Sequence, residues 1–500
     1  MRHVLSLLLL GAAMPAAPAA ADTLREALLR AYQSNPTITG QRAAQRATDE
    51  NVPIARSAGL PSLDATGGFN QNLLTSGNSF TNPARSLSVG PQLVVPLYRA
   101  GAVRNSVAAA ETRVEAGRAT LRSTEASLFT NVVAVYMDVI RDEAIVALNQ
   151  QNVHVLDVNL RASRDRFQVG DLTRTDVAQS EARLSLARSQ LESANAQLIS
   201  SRENYIRIVG TEPGELQDPP PLPHLPTDPG AAVTKALADN PALAAAAKQR
   251  DATRYDVGVA RAARSPQVNG VVSGTYSTYL GTLGGGSVGQ SGTAGGLGLQ
   301  LNLPIFQGGR IGAQVRQAEA LRSQAIEAVT DTERGVIAQT RSAYAVWRSS
   351  QEVIASSEQA VNANKLSLEG VRAENSVGTR TILDILNAEQ ELLNSQVTLV
   401  TARHDEYVAG FALLAAMGEA EARDLGLDGG PLYDPLSNYD RVRHNINDRG
   451  DDHEPAPVAT RTVDSPAQNA TVAKTADPLL DTPVDSNPKL TTGATATDRK

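Results

Sequence analysis

Apolar residues recur every seven positions in this chain, over stretches far longer than a compact globule can use. Val107, Val114, Leu121, Leu128 and Val135 form one row, and Val132, Val139, Val146, Val153, Leu160 and Phe167 form a second. Val177, Leu184, Leu191, Leu198 and Tyr205 repeat the pattern, as do Trp347, Ile354, Val361 and Leu368, then Leu386, Leu393, Val400, Tyr407 and Leu414. A sustained period of seven keeps one seam of a helix against its neighbour, so it predicts helices packed side by side as coiled coils. At about 1.5 Å per residue, a helix over 101–168 is roughly 100 Å long, the dimension of a tube or stalk. Gly170 and Gly378 follow the longest stretches and predict tight turns. Residues 101–168 with 172–209, and 309–376 with 380–417, are therefore expected to be helical hairpins.

The two hairpins belong to one unit written twice. Asn35-Pro36 recurs as Asn240-Pro241, Val95-Pro96-Leu97 as Leu303-Pro304-Ile305, Val169-Gly170 as Val377-Gly378, Asp176 as Asp384 and Gly210 as Gly418. The period of roughly 205–208 residues is too long for a solenoid and reads as duplication of a domain-sized unit. The first unit covers 22–212 and the second 231–420, joined by a Pro-rich linker at 213–230. In each, a short helix (near 22–34 and 231–239) and a second helix (near 36–58 and 241–264) precede the hairpins.

Between the second helix and each hairpin lies a Gly/Ser/Thr/Asn-rich stretch, 61–98 and 266–306, with apolar residues at every second position. Leu297, Leu299, Leu301, Leu303 and Ile305 alternate with Gly298, Gln300, Asn302 and Pro304. Leu87, Val89, Leu93, Val95 and Leu97 form the corresponding row, and Leu63 to Phe69 and Val268 to Tyr276 form weaker ones. Strands of about ten residues with this dyad, joined by polar loops at 71–84 and 281–295, have the signature of transmembrane β-strands. Phe69, Val89, Leu93, Val95, Leu297, Leu299, Leu301 and Leu303 are the expected lipid-facing positions. Four strands cannot close a barrel, and an open edge in lipid leaves backbone groups unpaired. Three copies would supply twelve strands.

The remaining features bound the function. Arg2 and His3, the apolar run Val4–Leu10 and Ala19-Ala20-Ala21 make residues 1–21 a secretory signal peptide, with the mature chain expected to start at Asp22. No later segment has about 20 consecutive apolar residues. With no cysteine there are no disulfides, thiolate metal sites or thiol nucleophile. The net charge of -7 gives no hint of a nucleic-acid partner. His154, His224, His404, His444 and His453 share no helical spacing, so no metal site is read. No nucleophile, base and orienter cluster together, so neither an enzyme nor a cofactor is expected. Residues 430–500, rich in Pro, Asp, Thr and Asn, read as a disordered tail.

Val377-Gly378-Thr379-Arg380-Thr381-Ile382-Leu383-Asp384-Ile385-Leu386-Asn387-Ala388-Glu389 resembles the second hairpin tip of TolC-type outer-membrane efflux and type I secretion channels. Asp165-Arg166-Phe167-Gln168-Val169-Gly170 before Asp176-Val177 resembles the first tip, and Val95-Pro96-Leu97 and Leu303-Pro304-Ile305-Phe306-Gln307-Gly308-Gly309-Arg310 resemble the strand-to-helix junctions. The likeness spans roughly 22–420. It implies an α+β membrane protein: a trimeric twelve-stranded outer-membrane β-barrel, four strands per chain, continued by a coiled-coil tunnel through the periplasm. It further implies a passive duct, opened at its periplasmic tip by an adaptor (membrane-fusion) protein and an inner-membrane ABC or proton-driven pump. The cargo would be protein or small molecules. A periplasmic coiled-coil adaptor or scaffold is the alternative.

The resemblance also assigns residues. Asp384 and Asn387 match two acidic positions one turn apart, so a trimer would place a ring of carboxylates beside a ring of amides. Arg380 matches a fastening arginine with expected partners Thr175 and Asp176, and Asn375 stands where relatives carry tyrosine. Val169, Gly170, Asp171, Leu172, Val377, Gly378 and Thr379 form the tips on which an adaptor would dock.

Overall fold

The computed structural model describes residues 22–74, 83–223, 225–284, 289–427, 432–450, 456–472, 477–482 and 484. The expected signal peptide, the middle of both strand loops, His224 and residues 485–500 lie outside the described residues. Three helices open the chain, α1 (Leu24–Ser34), α2 (Pro36–Asp49) and α3 (Asn51–Ser57). They lead into β1 (Ser62–Gln71) and β2 (Arg85–Tyr98), then the long pair α4 (Ala102–Gln168) and α5 (Arg174–Val209). The second unit repeats this with α6 (Pro229–Asp239), α7 (Pro241–Ala262), β3 (Gln267–Thr278), β4 (Ser291–Asn302), α8 (Arg310–Ser376) and α9 (Ile382–Met417). The helix expected over 36–58 is broken at Glu50. Pro53 has no N–H to donate to the Asp49 carbonyl, and its ring crowds that carbonyl.

The duplication is met residue for residue in length. α4 and α8 each have 67 residues, and α5 and α9 each have 36. A 67-residue helix spans about 100 Å. No helix among the described residues is long and apolar enough to cross a membrane.

The strands form one antiparallel sheet in the order β1-β2-β3-β4. Its register gathers the apolar side chains. Leu63 pairs with Leu93 and Phe69 with Leu87, Val89 pairs with Tyr276, and Val272 pairs with Leu297. Because alternate residues face opposite sides, these pairs put Phe69, Val89, Leu93, Val95, Leu297, Leu299 and Leu301 on a single face, while Leu303, expected with them, lies beyond the paired residues. Leu297 and Leu299 stand 83% and 77% exposed there. The other face carries Asp64, Thr66, Asn70, Ser86, Ser88, Gln92, Ser273, Asn269, Gln300 and Asn302. β4 stops at Asn302, one residue short of Leu303, since Pro304 can neither donate to a ladder nor leave its predecessor free. In the first unit Pro96 stays inside β2 at a register shift.

The two largest apolar clusters among the described residues hold most of the helices together. One joins α1 (Leu24, Leu28, Tyr32), the middle of α4 (Leu121 to Val146), α5 (Leu198, Tyr205) and the chain just after α9 (Ala420, Leu427). The other, nearer the hairpin tips, joins Leu156 and Leu160 of α4, Leu184 of α5, Val361 and Leu368 of α8, and Ile385, Leu386 and Leu392 of α9. The heptad rows thus turn inward along the helices, except at the tip, where Phe167, last of its row, is 45% exposed.

The C-terminal region departs from expectation. Residues 435–442 form a helix, α10 (Pro435–Val442), capped by Asp434. Tyr439 packs against the buried Val52, Ala110 and Val114, and Asn438 Nδ2 donates to buried Asp49 Oδ2 at 2.9 Å. Arg42 stacks over Tyr433 as well as Tyr32, and the Tyr433 N–H donates to Tyr32 Oη. Further on, Arg202 donates to the carbonyls of Asn469 and Thr471. The described part of the tail is therefore bound to the helices. A few aromatic and amide anchors, without any periodicity, do what a long apolar face does elsewhere.

Candidate functional site: the two hairpin tips

Each hairpin turns by the same local chemistry. After α4, Gly170 adopts φ +83°, its N–H donates to the Phe167 carbonyl and the Asp171 N–H to the Arg166 carbonyl. After α8, Gly378 adopts φ +82°, with Gly378 N–H to Asn375 O and Thr379 N–H to Glu374 O. Both are Schellman closures, in which a left-handed residue lets two N–H groups reach back to the last free carbonyls. A side chain at either glycine would be strained by the backbone.

The next helix of each hairpin starts with a capping box. Thr173 Oγ1 accepts from the Asp176 N–H at 3.3 Å while Asp176 Oδ2 accepts from the Thr173 N–H at 2.9 Å. In the second hairpin Thr381 Oγ1 accepts from the Asp384 N–H at 3.3 Å, and Asp384 Oδ2 accepts from the Thr381 N–H and hydroxyl at 2.9 and 2.8 Å. Asp176 and Asp384 are thus duplicates in role as well as position: each occupies two helix-terminal donors. Hydrogen bonds from the Thr381 backbone and hydroxyl, with Arg380 nearby, hold the Asp384 carboxyl below its ordinary range. The Thr173 bonds do the same for Asp176, helped by Arg166. Both carboxylates are ionised at neutral pH, and in each the capping bonds fall on Oδ2.

The other site residues are distributed as follows. Arg380 Nε donates to Glu374 Oε2 at 2.8 Å on its own hairpin. Within one chain it does not take the expected partners: Asp176 is held by Thr173, and Thr175 lies exposed beside it. Asn387 Oδ1 accepts from Arg183 Nη2 of α5 at 2.7 Å. Asn375 is buried and joins the two tips. Its Nδ2 donates to the Arg380 carbonyl at 2.7 Å and its Oδ1 accepts from Arg166 Nη1 at 3.4 Å. Arg166 also grips Asp171 in its own turn, Nε to Oδ2 at 2.8 Å. The remaining tip residues Val169, Gly170, Asp171, Val377, Gly378 and Thr379 are exposed, with Leu172 half-buried.

The sequence model of the family described as "Outer membrane efflux protein" matches residues 27–211 and 232–419, which is both units. The chain belongs to the outer membrane efflux protein family. It is 36% identical over 442 residues to the outer membrane efflux protein BepC of Brucella suis biovar 1, covering 88% of this chain and 94% of that one. It is 26% identical over 467 residues to the outer membrane protein TolC of Escherichia coli K12, covering 88% and 93%. Among solved structures, VceC of Vibrio cholerae superposes with a TM-score of 0.67 at 21% identity, over 79% of this chain and 96% of that one. This efflux-family chain is accordingly an outer-membrane export channel protein and not an enzyme. The adaptor alternative falls away, because both units, strands included, match the channel family.

One feature of the tips escapes a reading by motif. Glu389, on α9, is buried between Arg372 of α8 and Asn159 of α4. Arg372 Nη2 lies 3.1 Å from Glu389 Oε1, and Asn159 Nδ2 donates to both carboxylate oxygens at 2.8 and 3.0 Å. The side chains of Arg372 and Glu389 are only 11% and 2% exposed. This clamp joins the two hairpins immediately above the tips. Glu389 sits two residues past Asn387 inside the quoted motif, but its partners are 17 and 230 residues away in sequence.

Proposed function

We propose that three copies of this chain close their sheets edge to edge into a twelve-stranded barrel in outer-membrane lipid, and that their hairpins form a periplasmic tunnel gated at the tips. The observation that carries this reading is the sheet: apolar side chains share one face, and β1 and β4 each leave an edge without a neighbour among the described residues. In hydrocarbon such an edge must be paired. The helices support the same assembly. α4 buries 25 residues and α8, of equal length, only nine. Leu321, Val346, Val353 and Leu366 of α8 stand exposed, a face that a second copy would cover.

In the trimer the Asp384 carboxylates would ring the axis beside the Asn387 amides and favour cations. Arg380, exposed and on a mobile stem, would exchange Glu374 for Thr175 and Asp176 of a neighbouring hairpin and fasten the closed tip. A periplasmic adaptor docking on Val169 to Leu172 and Val377 to Thr379, together with an inner-membrane pump, would release it. The passive duct would then serve small-molecule efflux or type I protein secretion. Planar-bilayer recording tests the reading. Arg380→Ala should raise single-channel conductance, while Asp384→Asn should keep it low and weaken cation preference. A purified chain that runs as a monomer without conductance would refute the assembly, and unchanged conductance and selectivity in the two variants would refute the gate.

A further inference from the structure

The family match ends at residue 419, yet the chain returns to the helical hairpins well beyond it. Residues 477–482, Asp-Pro-Leu-Leu-Asp-Thr, cross from one hairpin to the other. Leu480 is 6% exposed and fills a pocket made by Leu148 of α4 with Leu393 and Val400 of α9. Its neighbour Leu479 packs on the tip-side cluster to which all four long helices contribute. Polar bonds then fix the segment on both sides. On the second hairpin, Gln396 Nε2 donates to the Leu479 carbonyl at 3.0 Å, Arg403 Nη1 pairs with Asp477 Oδ2 at 2.6 Å, and Lys365 reaches the Pro478 carbonyl. On the first, Gln151 Nε2 donates to the Thr482 carbonyl at 2.7 Å. Asp477 also caps its own turn, accepting the Leu479 N–H at 2.8 Å.

We propose that residues 477–482 are a cross-brace that ties the second hairpin to the first, and that the α4–α9 groove is a receptor for this short acidic-apolar segment. The bonds that seat the segment fall on both hairpins, which must shift relative to one another if a tip is to open. A seated brace therefore favours the closed arrangement, and whatever displaces it favours the open one. The inference rests on the gated-duct reading for its functional meaning, but the brace itself is a statement about two hairpins in one chain. The groove commits to one occupant, the chain's own tail, because both leucines and the carboxylate already have their partners there.

Since the chain contains no cysteine, a single engineered thiol reports unambiguously. Leu156→Cys places a thiol in the tip-side cluster between the hairpins, where Leu156 is 5% exposed. Its maleimide labelling rate measures how often the hairpins part. In the full-length assembly, adding Leu480→Asp should unseat the brace, raise that rate at least tenfold and increase single-channel conductance. A Leu480→Cys chain should itself label at least tenfold slower than Val463→Cys, which marks an exposed tail position. If Leu480→Asp impairs assembly, Leu480→Ser combined with Asp477→Asn is read in the same way. Equal labelling of Leu480→Cys and Val463→Cys overturns the proposal, as does an unchanged Leu156→Cys rate in the unseated chain. If no variant, nor the wild type, conducts, the duct reading falls while the labelling rates still judge the brace.

Discussion

Glu389→Ala is the perturbation whose size the structure fixes best. The substitution removes a carboxylate that is almost wholly enclosed and leaves the Arg372 guanidinium and the Asn159 amide without it in a low-dielectric setting. Removing one partner of a buried, hydrogen-bonded pair costs about 3–5 kcal/mol, most of it the penalty of the charge left behind. At about 1.4 kcal/mol per decade, this corresponds to roughly a hundred- to a few-thousand-fold increase in local opening. Hydrogen exchange of the α9 backbone between 385 and 399 is the assay, because those intrahelical amides exchange through local unfolding of α9, which its packing on α4 opposes. Arg164→Ala is the control, since its exposed pair with Glu181 is screened by water and should leave the same amides almost unchanged. Replacing both partners, Glu389→Leu with Arg372→Met, should recover most of the loss. Exchange within threefold of wild type in Glu389→Ala would refute the argument that this clamp holds the hairpins together.

Four further outcomes follow from the geometry. Leu299→Arg, on the apolar face of the sheet, should cost about 2–4 kcal/mol near the bilayer midplane and reduce folded protein in membranes, while Gln300→Arg on the other face should insert normally; heat-modifiable mobility of membrane fractions measures both. Deletion from residue 432 should lower the melting temperature, because it removes Tyr433, Asn438 and Tyr439 from their contacts, as a thermal melt of the truncated chain measures. Burial alone would lower the pKa of His404, but hydrogen bonds to Asp138 and Asp405 outweigh it, against repulsion from Arg141, and the net direction is upward. Its stabilising contribution is thus complete below about pH 6.5, the unfolded value, and is lost as pH rises through the folded one; His404→Gln should flatten the fall of melting temperature over that window. Thr381→Ala should bring the Asp384 pKa back toward the ordinary carboxylate value, seen by NMR titration of the side-chain carboxyl, since the Thr381 hydroxyl bond is lost.

The sequence revealed the long helical hairpins far better than what fastens them. Heptad rows such as Val177 to Tyr205 announce themselves, because burial there repeats with the period of the helix. The sheet register was likewise implicit in the alternation of Leu297 to Leu301. At the tips, Thr173-x-x-Asp176 and Thr381-x-x-Asp384 carry the pattern of a capping box, a local signal that explains those carboxylates before any gate is invoked. Nothing local could announce the Glu389 clamp, whose meaning depends on Asn159 and Arg372 arriving from other helices. The tail misled for a related reason. Its composition is that of a solvated segment, and three or four anchors such as Tyr433, Asn438 and Leu480 suffice when the receiving grooves are already built.

The unequal distribution of packing along α4 gives the molecule a mechanical character. Phe129, at the centre of the larger apolar cluster and 0% exposed, lies 39 residues above Gln168. That is a lever arm of about 60 Å. A tilt of about 5° about this fulcrum would swing the far end by about 5 Å, roughly one helical pitch, with scarcely any rearrangement at the pivot itself. Coiled coils are stiff enough to transmit such a rotation without bending it away. Forces applied far from the constriction, at the belt of short helices around the fulcrum, would thus be geared up on their way to the tips.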